Sequence, residues 1–275
     1  MDAATRIASV AARPRGFVGV SGPQAGEHLQ RMVSNDVLAL AEGEACDALL
    51  LTPKARIIAT LRVFRRGADD FLLLTEPELA PVLRDALLRS RFAARCEIEI
   101  EEFASFLAFG DDAPSEGAWL VPNDDYGVPC IEVVGTEPRA DARRIDQLLE
   151  RLRIESGTPL FGHEIDDRVM PAEVGLDASA VSFTKGCFPG QEPVARLRYR
   201  GHVNRSLRVL RIEASAVPAE GSEVFYDGRS VGRLTSATAS DTGVVALAYI
   251  REEVPLDVVV SVLGAEATMS RSARP

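Results

Sequence analysis

The chain has 275 residues, 46% of them hydrophobic, enough for two or three compact units with cores of their own. Its formal net charge of −10 argues against an extended nucleic-acid footprint or attachment to an anionic membrane, so an anionic partner must be met by a local basic patch. Cys46, Cys96, Cys130 and Cys187 lie far apart with no C-x-x-C pair, which excludes a secreted disulfide framework and a zinc site of local ligands. Met1 to Gly16 carries arginines but no apolar signal-peptide core, and no run approaches the roughly 18 apolar residues of a membrane span. The expectation is a cytoplasmic protein, outside the membrane and without a metal site.

Phe17 to Val20 reads as a strand. Ser21-Gly22-Pro23-Gln24 has capping-box spacing, and Ala25, Leu29, Met32 and Val33 then form a helical stripe. That helix stops at Ser34-Asn35-Asp36, placing Asp36 in a loop just past a helix end. Apolar runs at Ala48 to Leu51, Ile57 to Phe64 and Phe71 to Leu74 predict three strands, joined by turns at Thr52-Pro53-Lys54 and Gly67 to Asp70. Thr75-Glu76-Pro77-Glu78 opens a helix with a second capping box, and Leu79, Val82, Leu83, Ala86 and Leu87 supply its buried stripe. With one more strand this is a βββαβ unit over about residues 46–102, one sheet face against one helix.

Phe103 to Phe109 and Ile131 to Val134 predict further strands. A long amphipathic helix follows, with Ala142, Ile145, Leu148, Leu149 and Leu152 on its buried side. It ends at Arg153-Ile154-Glu155-Ser156-Gly157. A carboxylate there can accept two parallel N–H bonds from a heterocycle with adjacent ring N–H and amino donors, such as a pterin, or simply close a helix. From about residue 203 helical patterning vanishes. Short strands at Leu207 to Ile212, Glu223 to Tyr226, Ser230 to Thr235, Val244 to Ala248 and Val258 to Val262 predict a small β-barrel. The fold class is therefore α+β, with residues 1–202 forming the α+β layers and 203–275 the barrel.

The richest segment is Lys185-Gly186-Cys187-Phe188-Pro189-Gly190-Gln191-Glu192, an amine, a thiol, an amide and a carboxylate within eight residues. Of 31 basic residues only Lys54 and Lys185 are lysines, so lysine marks places where a compact ammonium is needed and a guanidinium would not serve. A neighbouring ammonium favours the thiolate, which makes Cys187 a candidate nucleophile or soft ligand. Arg196, Arg198, Arg200, Arg205 and Arg208 alternate around His202. At strand period they would form a cationic strip for phosphates or carboxylates.

Taken together these segments resemble the YgfZ-type folate-binding proteins, relatives of the aminomethyltransferase (T-protein) of the glycine cleavage system. Lys185 to Glu192 resembles the family's K-G-C-[YF]-x-G-Q-E signature, continued by Ala195-Arg196 and Arg200-Gly201. Leu29 to Val37, Leu50 to Arg56, Arg153 to Gly157, Pro171-Ala172-Glu173 and Val231 to Ser236 resemble further family stretches. Ala55 stands where the family usually has glycine, and Pro193 departs from the usual residue after Glu192.

The resemblance implies a three-part cloverleaf, two α+β layers and an end barrel, around a tetrahydrofolate site. It implies work in assembling or maintaining iron–sulfur clusters, including those of tRNA-modifying enzymes, with folate and iron–sulfur proteins as partners. The alternative is a folate-dependent aminomethyltransferase; a scaffold whose arginines dock RNA or an acidic protein ranks third. By position, Asp36 matches the carboxylate near the reactive folate nitrogen and Glu155 the one that holds the pterin. Asn35, Lys185, Gln191, Arg198 and Arg200 are the other expected folate contacts. Asp36, Lys185 and Cys187 are the expected reactive groups.

Overall fold

The computed structural model describes residues 9–110, 117–138 and 143–271. They divide into two compact units. The first comprises residues up to Asn123, Pro129–Asp146 and Ser179–Pro193; the second comprises Asp124–Val128, Gln147–Ala178 and residues from Val194 onward.

In the first unit, one antiparallel sheet runs in the order β3 (Ala45–Leu51), β4 (Ile57–Gly67), β5 (Asp70–Thr75), β2 (Gly16–Ser21) and β6 (Glu97–Glu101). The βββαβ run thus completes its sheet only by taking in β2 from upstream. Phe71-Leu72-Leu73-Leu74 of β5 is apolar at every position because the strand is covered on both faces. Leu72 and Leu74 join Phe17 and Phe64 against Val121 and Val134 of the neighbouring sheet. Phe71 lies against helix α1 (Ala25–Met32), where a side chain at Gly26 would come within 3.3 Å of its ring. Helix α2 (Ala80–Arg89) buries Ala80, Leu83, Ala86 and Leu87, whereas Val82, assigned to the same stripe from sequence, is 42% exposed.

Neither capping box forms. Gln24 precedes α1 without a side-chain cap, and α2 is led by a 3₁₀ turn over Pro77–Leu79. Thr75 instead donates its hydroxyl to Thr60 O across the sheet at 2.7 Å. Glu76 turns to Arg13, which grips it with two bonds of 2.6 and 2.9 Å.

The unit's other sheet has the order β10 (Arg143–Arg144), β1 (Ser9–Ala12), β7 (Ser105–Phe109), β9 (Cys130–Val134) and β8 (Trp119–Asn123). β1, β8 and β10 were not foreseen. Glu132 of β9 is fully buried and bound by Arg15, Nε to Oε1 at 2.7 Å and Nη2 to Oε2 at 3.0 Å.

Helix α3 (Asp146–Ser156) departs from the expected stripe. Ala142 lies outside the described residues, Ile145 precedes the helix, and Leu148 is 44% exposed. Burial falls at the C-terminal end, on Arg153, Ile154 and Ser156. α4 (Leu176–Ser179) and α5 (Gln191–Arg200) follow. The second unit ends in a closed six-stranded barrel in the order β11 (Arg205–Ile212), β14 (Gly243–Arg251), β13 (Arg229–Ser240), β12 (Glu223–Tyr226), β15 (Val260–Val262) and β16 (Ala265–Arg271). Its core draws on Leu210, Val224, Leu234, Ala248, Ile250 and Val262. The barrel was legible apart from β16, whose alternation is mostly polar. Among the described residues no helix is long and apolar enough to cross a membrane.

Candidate functional site

The first unit gathers Lys185, Asn35 and Asp36 around the end of α1. A helix leaves its last carbonyls without intrahelical donors, and these need partners when buried. Lys185 supplies them. Its side chain is nearly buried, and Nζ donates to Gln30 O at 2.6 Å, Val33 O at 2.7 Å and Asn35 O at 2.9 Å. A cation at a helix C-terminus is also favoured by the helix dipole.

Beyond the helix each side chain of Ser34-Asn35-Asp36 is tied. Leu49 N donates to Ser34 Oγ at 2.8 Å, and Asn35 Nδ2 donates to Asp47 O and Ser179 O at 2.7 and 3.1 Å. Gln30 Nε2 donates to Asp36 Oδ1 at 2.9 Å, while Gln30 Oε1 accepts from Val37 N at 2.9 Å. Asp36 is half-buried, and no bond reaches its Oδ2 among the described residues. Sequence reasoning missed the bracing roles of Gln30 and Ser34, because their partners lie across turns that no spacing rule reveals.

Burial pulls Lys185 down to about 8, with the charge of Asp36 opposing the shift. Cys46, half-buried on β3, was not singled out from sequence. Burial and the adjoining Asp47 push its thiol up to about 12, so it stays protonated.

The signature loop is pinned at two points. Lys185 and Phe188 point inward, with Nζ 5.3 Å from the ring centroid, and Gly186 and Cys187 are left exposed between them. Pro189-Gly190 then turns the chain into α5, where Gln191 N bonds Phe188 O at 3.2 Å. Gly190 has φ +81°. Pro193 falls in the first turn of α5, where its missing N–H costs nothing, so the departure from the family pattern is absorbed. Ala55 holds φ +58°, a conformation glycine adopts more readily, which is the physical reason a glycine suits that position.

The remaining expected site residues belong to the second unit. α3 ends in a Schellman motif, with Gly157 N bonded to Ile154 O and Thr158 N to Arg153 O, both at 3.0 Å, and Gly157 at φ +76°. Glu155 sits in that last turn, half-buried. Its Oε1 accepts from Arg151 Nε at 2.9 Å, and Arg151 is in turn held by Asp241 through two bonds of 2.7 Å. One oxygen of Glu155 is thus engaged within the protein.

The cationic strip does not exist. Arg196, Arg198 and Arg200 are on α5, not on a strand, so Arg198 and Arg200 point roughly 200° apart around the axis. Arg208 is buried on β11 with Nη1 on Val254 O at 2.6 Å. Arg205 stacks over Tyr249 at 4.1 Å and donates Nε to Glu173 at 2.8 Å. The alternation that suggested one strand spans a helix end, a turn and a strand start.

Two motif segments of the second unit, Arg153–Gly157 and Val231–Ser236, meet at a residue that no motif marks. Glu164, fully buried, accepts from Arg153 Nη1 at 2.9 Å, Ser236 Oγ at 2.6 Å and Leu160 N at 3.0 Å. Arg153 and Ser236 are therefore placed where a buried carboxylate needs donors.

No protein-family model matches the chain. It is 29% identical over 286 residues to the tRNA-modifying protein YgfZ of Edwardsiella ictaluri, covering 89% of this chain and 85% of that one. It is 27% identical over 268 residues to an aminomethyltransferase of Chlorobium luteolum, covering 81% and 73%. The crystal structure of the glycine cleavage system aminomethyltransferase T from Bartonella henselae superposes with a TM-score of 0.82 at 20% identity, covering 96% of this chain and 85% of that one. With further YgfZ proteins at 27–28% identity, this chain is similar in sequence to the YgfZ proteins and has the aminomethyltransferase fold.

Proposed function

We propose that the chain binds tetrahydrofolate and assists the assembly, maintenance or repair of iron–sulfur clusters, including those of tRNA-modifying enzymes. The observation that carries the folate reading is Asp36, a half-buried carboxylate braced through one oxygen by Gln30 with its other oxygen unengaged. A reduced pterin presents N–H donors, and carboxylates are the side chains that accept them most strongly. Glu155 likewise keeps one oxygen beyond the bond to Arg151. The acceptor chemistry of the residues present therefore fits the group. Tetrahydrofolate would supply a nucleophilic ring nitrogen, which Asp36 would orient, and Cys187, exposed at the bend of its loop, is the thiol available to a partner protein.

Calorimetry with tetrahydrofolate tests the reading. Asp36→Asn is expected to weaken binding by about 1.5–3 kcal/mol, the value of a charge-assisted bond. Absence of binding to the wild type would end it. Turnover of an aminomethyl donor that depends on Asp36 would replace it with the transferase reading, which the likeness to aminomethyltransferases keeps open.

Cys187→Ser is expected to keep folate affinity and fold while abolishing in vivo rescue of an iron–sulfur enzyme defect. Full rescue by that variant would remove the thiol from the mechanism.

A further inference from the structure

All three protons of the Lys185 ammonium are committed, to the carbonyls of Gln30, Val33 and Asn35 at 2.6, 2.7 and 2.9 Å. An amine in that state offers a substrate neither a lone pair nor a spare proton. Two of the residues it holds adjoin Asp36 directly. Gln30 binds the Asp36 carboxylate through its side-chain amide, and Asn35 accepts from the Asp36 backbone N–H through Oδ1 at 2.9 Å. We propose that Lys185 is the positioning residue of the Asp36 site: its ammonium fixes the end of α1 and, through Gln30 and Asn35, the direction of the Asp36 carboxylate, and it is not itself the reactive amine. The inference rests on Asp36 being a folate-facing group.

The geometry also accounts for the choice of residue. Three carbonyls converge on one point, which a compact ammonium can satisfy and a planar guanidinium cannot. One of the only two lysines in a chain with 31 basic residues stands there.

The staple is sensitive to pH. The titratable groups facing Nζ are Asp36, from the loop after α1, and Cys46, from β3, whose thiol stays neutral; the Asp36 charge favours the ammonium, but burial outweighs it and brings Lys185 to about 8. Deprotonation leaves two N–H bonds for three carbonyls, so one tether of the Asp36 turn is lost. The folded value lies below that of a free lysine, about 10.4. The folded state therefore gives up this proton first, and the group's contribution to global stability rises as pH climbs from about 8 towards the free-lysine value. Site order and global stability thus move in opposite directions over that interval, which a purely structural tether would not produce.

With two lysines in the chain, ¹³C-lysine NMR gives two side-chain signals, and Lys54→Met and Lys185→Met assign them. The expected result is that Lys185 titrates near 8. Amide exchange at Asp36 and Val37 should accelerate severalfold over the same interval, beyond the intrinsic rise with pH. At neutral pH, Lys185→Met and Lys185→Arg should accelerate the same amides. Lys185→Met should also lower tetrahydrofolate affinity about tenfold with Asp36 in place and add nothing to the loss in Asp36→Asn.

A Lys185 signal that titrates near the free-lysine value of about 10.4, with unchanged exchange at Asp36 and Val37, overturns the proposal, as do additive affinity losses. Should Lys185→Met fail to fold, the wild-type titration and Lys185→Arg decide. A wild type that binds no tetrahydrofolate defeats the folate reading instead, leaving the NMR and exchange results to judge the staple.

Discussion

Glu132→Ala is expected to cost about 3–5 kcal/mol of stability, a large fraction of the roughly 5–15 kcal/mol that holds a typical domain together. Glu132 is wholly buried and its partner Arg15 is 7% exposed, so removing the carboxylate takes from a buried guanidinium the partner that holds it with two bonds. Arg15 Nη1 reaches Glu76 only at 3.4 Å, and Glu76 is already gripped by Arg13. Asn123 Nδ2, 3.2 Å from Glu132 Oε2, also loses that bond. Replacing both members of the pair, Glu132→Leu with Arg15→Met, should cost much less than the single change, because the interior then carries neither charge. Chemical denaturation of Glu132→Ala, Glu132→Leu, Arg15→Met and the double variant checks the contrast, and additive losses of the two single changes in the double would show that packing, not charge, dominates.

The same cluster sets the acid limb. The Arg15 charge holds Glu132 below the ordinary glutamate range against the opposing effect of burial, and the bonds and charge of Arg13 do the same for Glu76. Their contribution is complete above the unfolded-state value, about 4.3, and is lost as pH falls through the lower folded values. The double variant should lose less stability on acidification below about pH 4 than the wild type does.

How much was legible depended on how local the signal was. The strands Phe71–Leu74 and Val244–Ala248 were readable because burial writes apolar residues at adjacent positions whatever the topology. Asp36 was placed correctly past a helix end by Ser34-Asn35-Asp36, and the signature loop by its own composition. What failed was everything decided by a distant partner. Thr75 looked like a cap until Thr60 supplied a better acceptor. The arginines at 196, 198 and 200 keep strand spacing but belong to a helix, since period 2 in one residue type carries little weight without matching apolar positions. Glu164 and Gln30 were invisible because a buried polar residue is identified only by its donors and acceptors, which come from 4 to 72 positions away in one case and 6 to 8 in the other.

Gly190→Ala is expected to destabilise the protein by about 2–4 kcal/mol, combining left-handed backbone strain with an overpacked contact. The backbone at Gly190 has φ +81°, where an L side chain is already disfavoured. A Cβ there would lie 2.6 Å from Thr52 O, 3.1 Å from Ala55 Cα and 3.2 Å from Ala55 N, all backbone atoms that cannot swing aside. Those atoms belong to a tight turn, closed by Ala55 N to Thr52 O at 2.8 Å and Thr52 N to Arg56 O at 2.9 Å. Relief requires the turn and the signature loop to part, which would displace Phe188 and with it the presentation of Cys187. Gly186, four residues earlier in the same loop, is the internal control: an added Cβ meets nothing within 4 Å. Gly186→Ala should shift stability by less than about 0.5 kcal/mol, as surface changes usually do. Thermal or denaturant unfolding of the two variants separates them, and equal losses would mean that close approach to the Thr52–Ala55 turn is not what requires a glycine. If Gly186→Ala keeps its stability but fails to rescue an iron–sulfur enzyme defect, the bare backbone beside Cys187 serves the approach of a partner, not the fold.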